Sequence, residues 1–178
     1  MKAGILVPGG RGTVLIPLLD LGWEALTDRG AVIEEISWQM PEGLLEVDPE
    51  PFVRAHVAVA LHRLTEKAPG ERPVLIAKSL GTYAATLAAE RELPAVWLTP
   101  LLHVPSIVAA ITRNPAPQLL IGGTADPTWL AAEARATGQQ TLIIEGANHS
   151  LRAPGPLRRF TDDLGRIGTA IEEFLDAP

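Results

Sequence analysis

Six short apolar runs, separated by segments with helical periodicity, constrain the fold of this chain more than any other feature. The runs are rich in Val, Ile and Leu and fall at residues 4–7, 32–38, 74–77, 95–98, 119–121 and 142–144. Most of them are continuous and lack strict alternation, which is typical of strands covered on both faces of a parallel sheet. The pattern therefore predicts a parallel sheet of about six strands with helices on both faces.

The second run, residues 32–38, differs from the others because it carries Glu34 and Glu35. Charged side chains are typical of an edge strand, since they discourage pairing with the sheets of other molecules. We therefore expect this strand to lie at an edge of the sheet.

Helical periodicity is clear in three of the intervening segments. Apolar residues recur at steps of three and four within residues 15–26, 53–64 and 157–174. Pro17 lies inside the first segment, and this helix is expected to begin near it because proline suits a first helical turn. Strand and helix alternate to the end of the chain, which predicts an α/β fold, a three-layer α/β/α sandwich with right-handed crossovers.

Length and composition fit one α/β domain spanning residues 1–178, with no repeat or linker that divides it. The formal net charge of −6 argues against binding of nucleic acid or of acidic membranes through charge, so a small-molecule substrate or a protein partner is favoured. Cysteine is absent, which excludes thiolate catalysis and zinc–thiolate sites. No motif for a cofactor or a metal is present, and we expect neither.

The apolar runs are also too short for membrane insertion. None reaches the roughly 18 residues of a transmembrane helix, and the amino-terminal run is interrupted at residues 8–10 before it attains the length of a signal-peptide core. These features predict a cytoplasmic protein that does not associate with membranes.

Four loops that follow predicted strands contain the residue types that catalysis requires. They are residues 8–13 after the first strand, 77–81 after the third, 122–127 after the fifth and 146–150 after the sixth. Ligands of open parallel sheets bind beyond the carboxyl ends of the strands, so these loops are expected to meet at one edge of the sheet.

Ser79 lies between a predicted strand and a segment of small residues that can pack as a buried helix. A sharp turn from strand to helix lifts a serine hydroxyl clear of the surface, near the amino end of the helix, where negative charge is favoured. Such a turn requires small neighbours, and Ala77 and Gly81 provide them. A serine in this position can equally serve as a helix cap, so the loop alone leaves both interpretations open.

A serine nucleophile needs a base within hydrogen-bond reach, and the base needs an orienting group. His149 follows the last strand, and Asp126 follows the strand before it. Taken alone, Asp126 can instead cap a helix over residues 127–137, with Pro127 at the first position. Taken together, Ser79, Asp126 and His149 predict a triad of nucleophile, acid and base.

An acyl transfer also needs donors for the developing oxyanion. The backbone N–H of Leu80 and that of Gly10 occupy suitable positions, with Arg11 as the alternative donor. The competing interpretation of residues 8–13 is a phosphate-binding loop. Their glycine spacing matches neither Gly-x-x-x-x-Gly-Lys-Ser/Thr nor Gly-x-Gly-x-x-Gly, which disfavours nucleotide binding.

With these residues in this order, the chain resembles the α/β-hydrolase superfamily over nearly its whole length. The strand-to-helix turn Lys78-Ser79-Leu80-Gly81 forms a nucleophile elbow, called the elbow below. This elbow is similar to that of a group of small predicted hydrolases, and that group is distantly similar to dienelactone hydrolases. The resemblance implies that the six strands correspond to the third to eighth strands of the family, the first two being absent. Ala77 replaces the usual first glycine of the elbow, and Pro8-Gly9 replaces the usual His-Gly of the oxyanion loop.

The resemblance and the triad together predict a serine hydrolase that cleaves small carboxylic esters or thioesters through an acyl-enzyme. Only residues 99–118 lie between the fourth and fifth strands, so no lid domain is inserted and an open site is expected. Two alternatives remain at this point. One is a non-catalytic binding or interaction protein on the same fold, and the other is an acyltransferase or a peptidase that uses the same triad.

Further residues are assigned from their positions near the same end of the sheet. Lys78, beside the nucleophile, either contacts an anionic group of the substrate or points to solvent, and solvent is the favoured interpretation. His103 either borders the site or packs in its loop. Four apolar residues are candidates for the lining of the acyl pocket, although a place in the core is the favoured interpretation: Trp38, Leu101, Leu102 and Trp129.

Overall fold

The computed structural model describes residues 2–177, and its centre is a single sheet of six parallel strands. The strands are β1 (Ala3–Val7), β2 (Val32–Glu35), β3 (Val74–Lys78), β4 (Ala95–Leu98), β5 (Gln118–Gly123) and β6 (Gln140–Ile144). Their order across the sheet is β2-β1-β3-β4-β5-β6, and every neighbouring pair is parallel. The predicted number and direction of strands are therefore confirmed.

Helices cover both faces of this sheet. They are α1 (Pro17–Thr27), α2 (Glu50–Lys67), α3 (Ala85–Glu90), α4 (Pro105–Arg113), α5 (Ala131–Ala136) and α6 (Leu157–Asp176), with 3₁₀ helices at Leu44–Glu46 and Ser79–Ala84. The buried side chains of α1 and α6 pack on one face, and those of α2, α3, α4 and α5 pack on the other. This arrangement is the predicted three-layer α/β/α sandwich.

Alternate residues of each central strand enter different halves of the core. In β3, Val74 and Ile76 pack with α1 and α6, whereas Leu75 and Ala77 pack with the helices of the opposite face. All four side chains are fully buried. Continuous apolar runs occur in the sequence because both faces of these strands are covered.

The strand β2 lies at an edge, as its glutamates predicted, but these side chains are held by helices. Glu34 is buried and forms an ion pair with Lys67 of α2. Glu35 accepts a hydrogen bond from the indole N–H of Trp23 in α1 at 3.1 Å. The strand ends at Glu35 instead of residue 38, because the chain then turns toward the loop that follows β1.

The first helix begins where proline predicted, whereas the helix after β5 begins later than expected. Leu15 lies before α1 and is 84% exposed, because the helix begins at Pro17, where proline was expected to start it. The helix after β5 begins at Ala131 and not at residue 127. Its N-cap residue is Leu130. The alternative prediction, that Asp126 caps this helix, is therefore wrong.

Candidate active site

Ser79 is the first residue of the 3₁₀ helix that directly follows β3, and its backbone is strained. Its backbone φ is +50°, in the left-handed region that residues other than glycine rarely adopt. Such strain persists only where the surrounding structure enforces it, and it is common at functional sites. The sharp turn predicted from Ala77 and Gly81 is therefore present.

The close approach of this turn to the loop after β1 explains why glycine is needed at position 81. A Cβ atom built on Gly81 would lie 2.8 Å from the carbonyl oxygen of Pro8 and 2.9 Å from that of Val7. Both atoms belong to the backbone and cannot move independently of the loop. The elbow and the first loop are thus packed directly against each other.

We expect Gly81→Ala to lower the free energy of unfolding by about 1–3 kcal/mol, because the added methyl group overpacks this contact. Equilibrium unfolding in urea measures the change. The matched control is Gly165→Ala in α6, where a Cβ atom meets nothing within 4 Å. This control should instead stabilise the protein by about 0.5–1 kcal/mol, and equal effects of the two substitutions would contradict the packing argument.

The side chains of Ser79, His149 and Asp126 form one hydrogen-bonded chain. The Ser79 Oγ lies 2.7 Å from His149 Nε2, and His149 Nδ1 lies 2.8 Å from Asp126 Oδ2. The Asp126 carboxylate is fully buried, whereas the imidazole is 37% exposed. When His149 Nδ1–H donates to Asp126, Nε2 is left to accept the proton of the serine hydroxyl.

Thr128 completes the surroundings of the carboxylate, and the sequence analysis did not identify it. The Asp126 Oδ1 accepts hydrogen bonds from the Thr128 backbone N–H at 2.9 Å and from its hydroxyl at 2.8 Å. The Thr128 hydroxyl also lies 3.2 Å from His149 Nδ1. An aspartate two residues before a threonine is a signal for an Asx turn, which identifies this contact in retrospect.

The predicted oxyanion donors lie beside Ser79. Gly10 and Arg11 line the cavity that contains the serine, and Leu80 lies in the first turn of the 3₁₀ helix, where N–H groups have no acceptor within the helix. Gly10 lies in a loop, and among the loop hydrogen bonds of residues 2–177 its N–H donates to no backbone acceptor. An N–H without an acceptor beside Ser79 can donate to an oxygen atom of a ligand.

Trp38 supports the first loop instead of lining a pocket. Its indole N–H donates to the carbonyl oxygen of Gly9 at 3.1 Å, and its backbone N–H donates to that of Gly12 at 3.0 Å. The buried indole packs edge-on against Phe52 and His56. A Cβ atom built on Gly12 would lie only 1.8 Å from the Trp38 carbonyl oxygen, so the two segments meet backbone to backbone.

A cavity of about 570 Å³ lies against Ser79 and His149. Its lining comes from the loop after β1, the start of α1, the elbow, the segment after β6 and the start of α6, and comprises Gly9, Gly10, Arg11, Thr13, Ile16, Pro17, Leu18, Lys78, Ser79, His149, Ser150, Arg152 and Phe160. None of the four candidate pocket residues is in this lining. The walls formed by the starts of α1 and α6 were not predicted, because the position of a helix relative to the loops is a tertiary property.

The other three predicted pocket residues have structural contacts. Leu102 is buried, and its backbone N–H donates to the carbonyl oxygen of Thr128 at 3.1 Å. The buried Trp129 ring packs so closely on Gly122 that a Cβ atom there would lie 1.9 Å from it. Leu101 is half-buried against the core. These residues position the loops around the site and do not face the cavity.

Lys78 points into the cavity, contrary to the expectation that it faces solvent. Its Nζ lies 3.3 Å from the carbonyl oxygen of His149 and 3.4 Å from the hydroxyl oxygen of Thr99. Burial lowers the pKa of Lys78, the carboxylate of Asp126 opposes this effect, and the nearby charge of Arg11 adds to it. His103, by contrast, is exposed and is not part of the cavity lining.

Within residues 2–177 no three His, Asp or Glu side chains are arranged to hold a metal ion. Over the same span, no helix combines the length and the apolar character needed to cross a bilayer.

The sequence matches no protein-family model and no curated protein, but several solved structures match nearly the whole chain. A lid-less α/β serine hydrolase from Xanthomonas campestris superimposes with a TM-score of 0.73 at 15% identity, over 99% of this chain and 84% of that one. Dienelactone hydrolase from Anabaena variabilis gives 0.73 at 19% identity, over 98% and 85%. Est1E from Butyrivibrio proteoclasticus, solved with ferulic acid bound, gives 0.74 at 13% identity, over 98% and 88%.

These matches, together with the sheet order, define the class: the chain has the α/β-hydrolase fold. More particularly, it has the small lid-less form of that fold, since only α4 and short loops lie between β4 and β5. The fold implied by the resemblance in the sequence is therefore confirmed. At identities of 13–19% the similarity establishes the fold alone, so the activity must be argued from the site.

Proposed function

We propose that this protein is a serine hydrolase that cleaves small carboxylic esters or thioesters. The observation that carries the proposal is the continuous hydrogen-bonded chain from Ser79 Oγ through His149 to the buried Asp126 carboxylate. A serine hydroxyl in contact with an oriented imidazole is the arrangement that activates an otherwise weak nucleophile. The α/β hydrolases and esterases among the structural neighbours are in agreement with it.

The geometry supports acyl transfer in two steps. The Ser79 oxygen attacks the substrate carbonyl while His149 Nε2 takes its proton, and the N–H groups of Gly10 and Leu80 stabilise the oxyanion. His149 then gives the proton to the leaving alcohol or thiol, which leaves an acyl-enzyme. Water, deprotonated by the same imidazole, attacks the acyl group and releases a carboxylic acid, and the proton returns to Ser79.

A fluorophosphonate probe tests the nucleophile directly, because it phosphonylates only an activated serine. We expect stoichiometric labelling of the folded protein, with the modified peptide containing Ser79, and no labelling of Ser79→Ala. The control is Ser106→Ala, which changes an exposed serine of α4 outside the cavity and should leave labelling intact. Absence of labelling in the folded wild-type protein would refute the hydrolase and favour a non-catalytic role.

The absence of an inserted lid predicts a preference for short acyl chains. The cavity of about 570 Å³ accommodates a small ester, and only α4 and short loops lie between β4 and β5, where a lid would cover a long chain. We expect kcat/KM for nitrophenyl esters to be highest at about two to four acyl carbons, because longer chains gain no further apolar contact. A maximum beyond about ten carbons, where only an extended apolar groove provides further contact, would contradict this assignment.

A further inference from the structure

The cavity beside Ser79 is lined by three positively charged side chains and, among the described residues, by no carboxylate. Arg11 comes from the loop after β1, Lys78 from the end of β3, and Arg152 from the segment that follows His149. The whole chain carries a formal net charge of −6, so the charge of this lining is opposite to that of the protein. Positive charge is therefore concentrated at the candidate active site.

These three side chains are not used in ion pairs. Within residues 2–177, none of them lies within salt-bridge distance of a carboxylate, whereas other basic residues do: Arg29, Arg54, Lys67 and Arg166. The Arg152 guanidinium instead lies 4.8 Å from the centroid of the Phe160 ring, a contact that restrains it at the cavity. The charges remain available to a ligand.

Lys78 is the most informative of the three because its position disfavours its charge. Burial lowers the pKa of Lys78, and of its neighbours only Asp126 raises it, while Arg11 lowers it further. Its two hydrogen bonds, at 3.3 and 3.4 Å, are long and go to neutral oxygens. An ammonium group has three donors, so an anion in the cavity would supply a stronger partner than the protein provides.

We propose that the substrate of this site carries an anionic group, a carboxylate or a phosphate, which Arg11, Lys78 and Arg152 bind while its carbonyl carbon lies against Ser79. This inference rests on the proposed function, because it assigns a substrate class to the same site. The uncharged part of such a substrate has apolar side chains to contact in the same lining: Ile16, Pro17, Leu18 and Phe160.

Binding of unreactive amide analogues to the Ser79→Ala protein tests this substrate class. N-(4-nitrophenyl)succinamic acid carries a carboxylate, its methyl ester has nearly the same shape without the charge, and the corresponding phosphonate represents a phosphate. By calorimetry at low salt we expect at least one of the two anionic analogues to bind at least about tenfold more tightly than the methyl ester. This advantage should shrink in about 0.5 M salt, because the exposed Arg11 and Arg152 are screened.

Substitutions locate the bound anion. Lys78→Met and Arg152→Leu, each introduced into the Ser79→Ala protein, should reduce the ratio of the two dissociation constants about threefold or more, and together they should abolish it. The ratio is used because a general disturbance of the site affects both analogues alike. The control is Arg158→Leu, which removes an exposed α6 arginine outside the lining and should preserve the ratio.

The outcomes separate this inference from the proposed function. Equal affinity of the anionic and methyl-ester analogues, no measurable binding of either anion, or an advantage that survives in the double variant would overturn the anion site. Failure of the wild-type protein to react with fluorophosphonate or to hydrolyse neutral nitrophenyl acetate would refute the hydrolase. The calorimetric result would still decide whether this cavity binds an anion.

Discussion

Replacing Ser79 with alanine is expected to lower kcat for a short nitrophenyl ester by about 10⁶-fold, the loss seen when a triad that acts as a unit loses its nucleophile. The physical reason is that His149 Nε2, now 2.7 Å from the Ser79 oxygen, has no hydroxyl left to deprotonate. Stopped or discontinuous assays with high enzyme concentration measure the residual rate. Labelling by a fluorophosphonate probe should be lost in parallel.

Folding of this variant has to be established independently, and the strained backbone offers a second substitution for that purpose. Because Ser79 has a φ of +50°, Ser79→Gly should remove the nucleophile and also relieve strain, so that it is about 1 kcal/mol more stable than Ser79→Ala. Both variants should be equally inactive despite this difference in the free energy of unfolding. Residual turnover near the wild-type rate in either one would show that Ser79 is not the nucleophile.

Asp126→Asn is expected to reduce kcat by about 10⁴-fold while the protein stays folded. The buried carboxylate accepts the Nδ1–H of His149 and so keeps Nε2 free of a proton. An amide at this position can donate instead, which favours the tautomer with the proton on Nε2, and that tautomer cannot act as a base toward Ser79. The measurement is kcat together with the free energy of unfolding.

A suitable control for this substitution is Asp163→Asn in α6. Asp163 is also a buried aspartate, but its partner is Arg166 at 3.0 Å, whereas the partner of Asp126 is His149. Asp163→Asn should lower the free energy of unfolding and leave kcat unchanged. If Asp126→Asn likewise changed only the stability, Asp126 would be a structural residue of the Asx turn with Thr128 and not the acid of a triad.

The order of elements was predictable because it depends on periodicity, which is a local property. Continuous apolar runs such as residues 74–77 indicate strands covered on both faces, and the charged run with Glu34 and Glu35 indicates an edge. Parallel strands point their carboxyl ends the same way, so loops after β3, β5 and β6 necessarily converge. For this reason Ser79, Asp126 and His149 were expected to meet, and the structure brings them within hydrogen-bond distance.

The walls of the cavity were not predictable in the same way. Trp38 was a candidate for the pocket because it lies near the same end of the sheet, but its indole N–H donates to the Gly9 carbonyl oxygen and supports the first loop. Lys78 was expected in solvent because lysine is usually solvated, yet its Nζ approaches the His149 carbonyl oxygen. The direction of a side chain in an irregular loop is determined by what packs around it, and no sequence period records that.

The three-layer sandwich, one of its two edge strands and the convergence of the three candidate catalytic residues follow from periodicity in the sequence, because parallel connection leaves few other arrangements. The side chains that surround these residues depend on tertiary packing. Packing of α6 and of the loop after β1 brings Arg11, Lys78 and Arg152 from three distant parts of the chain to one cavity. Residues this far apart in the sequence can line the same cavity only in the folded chain.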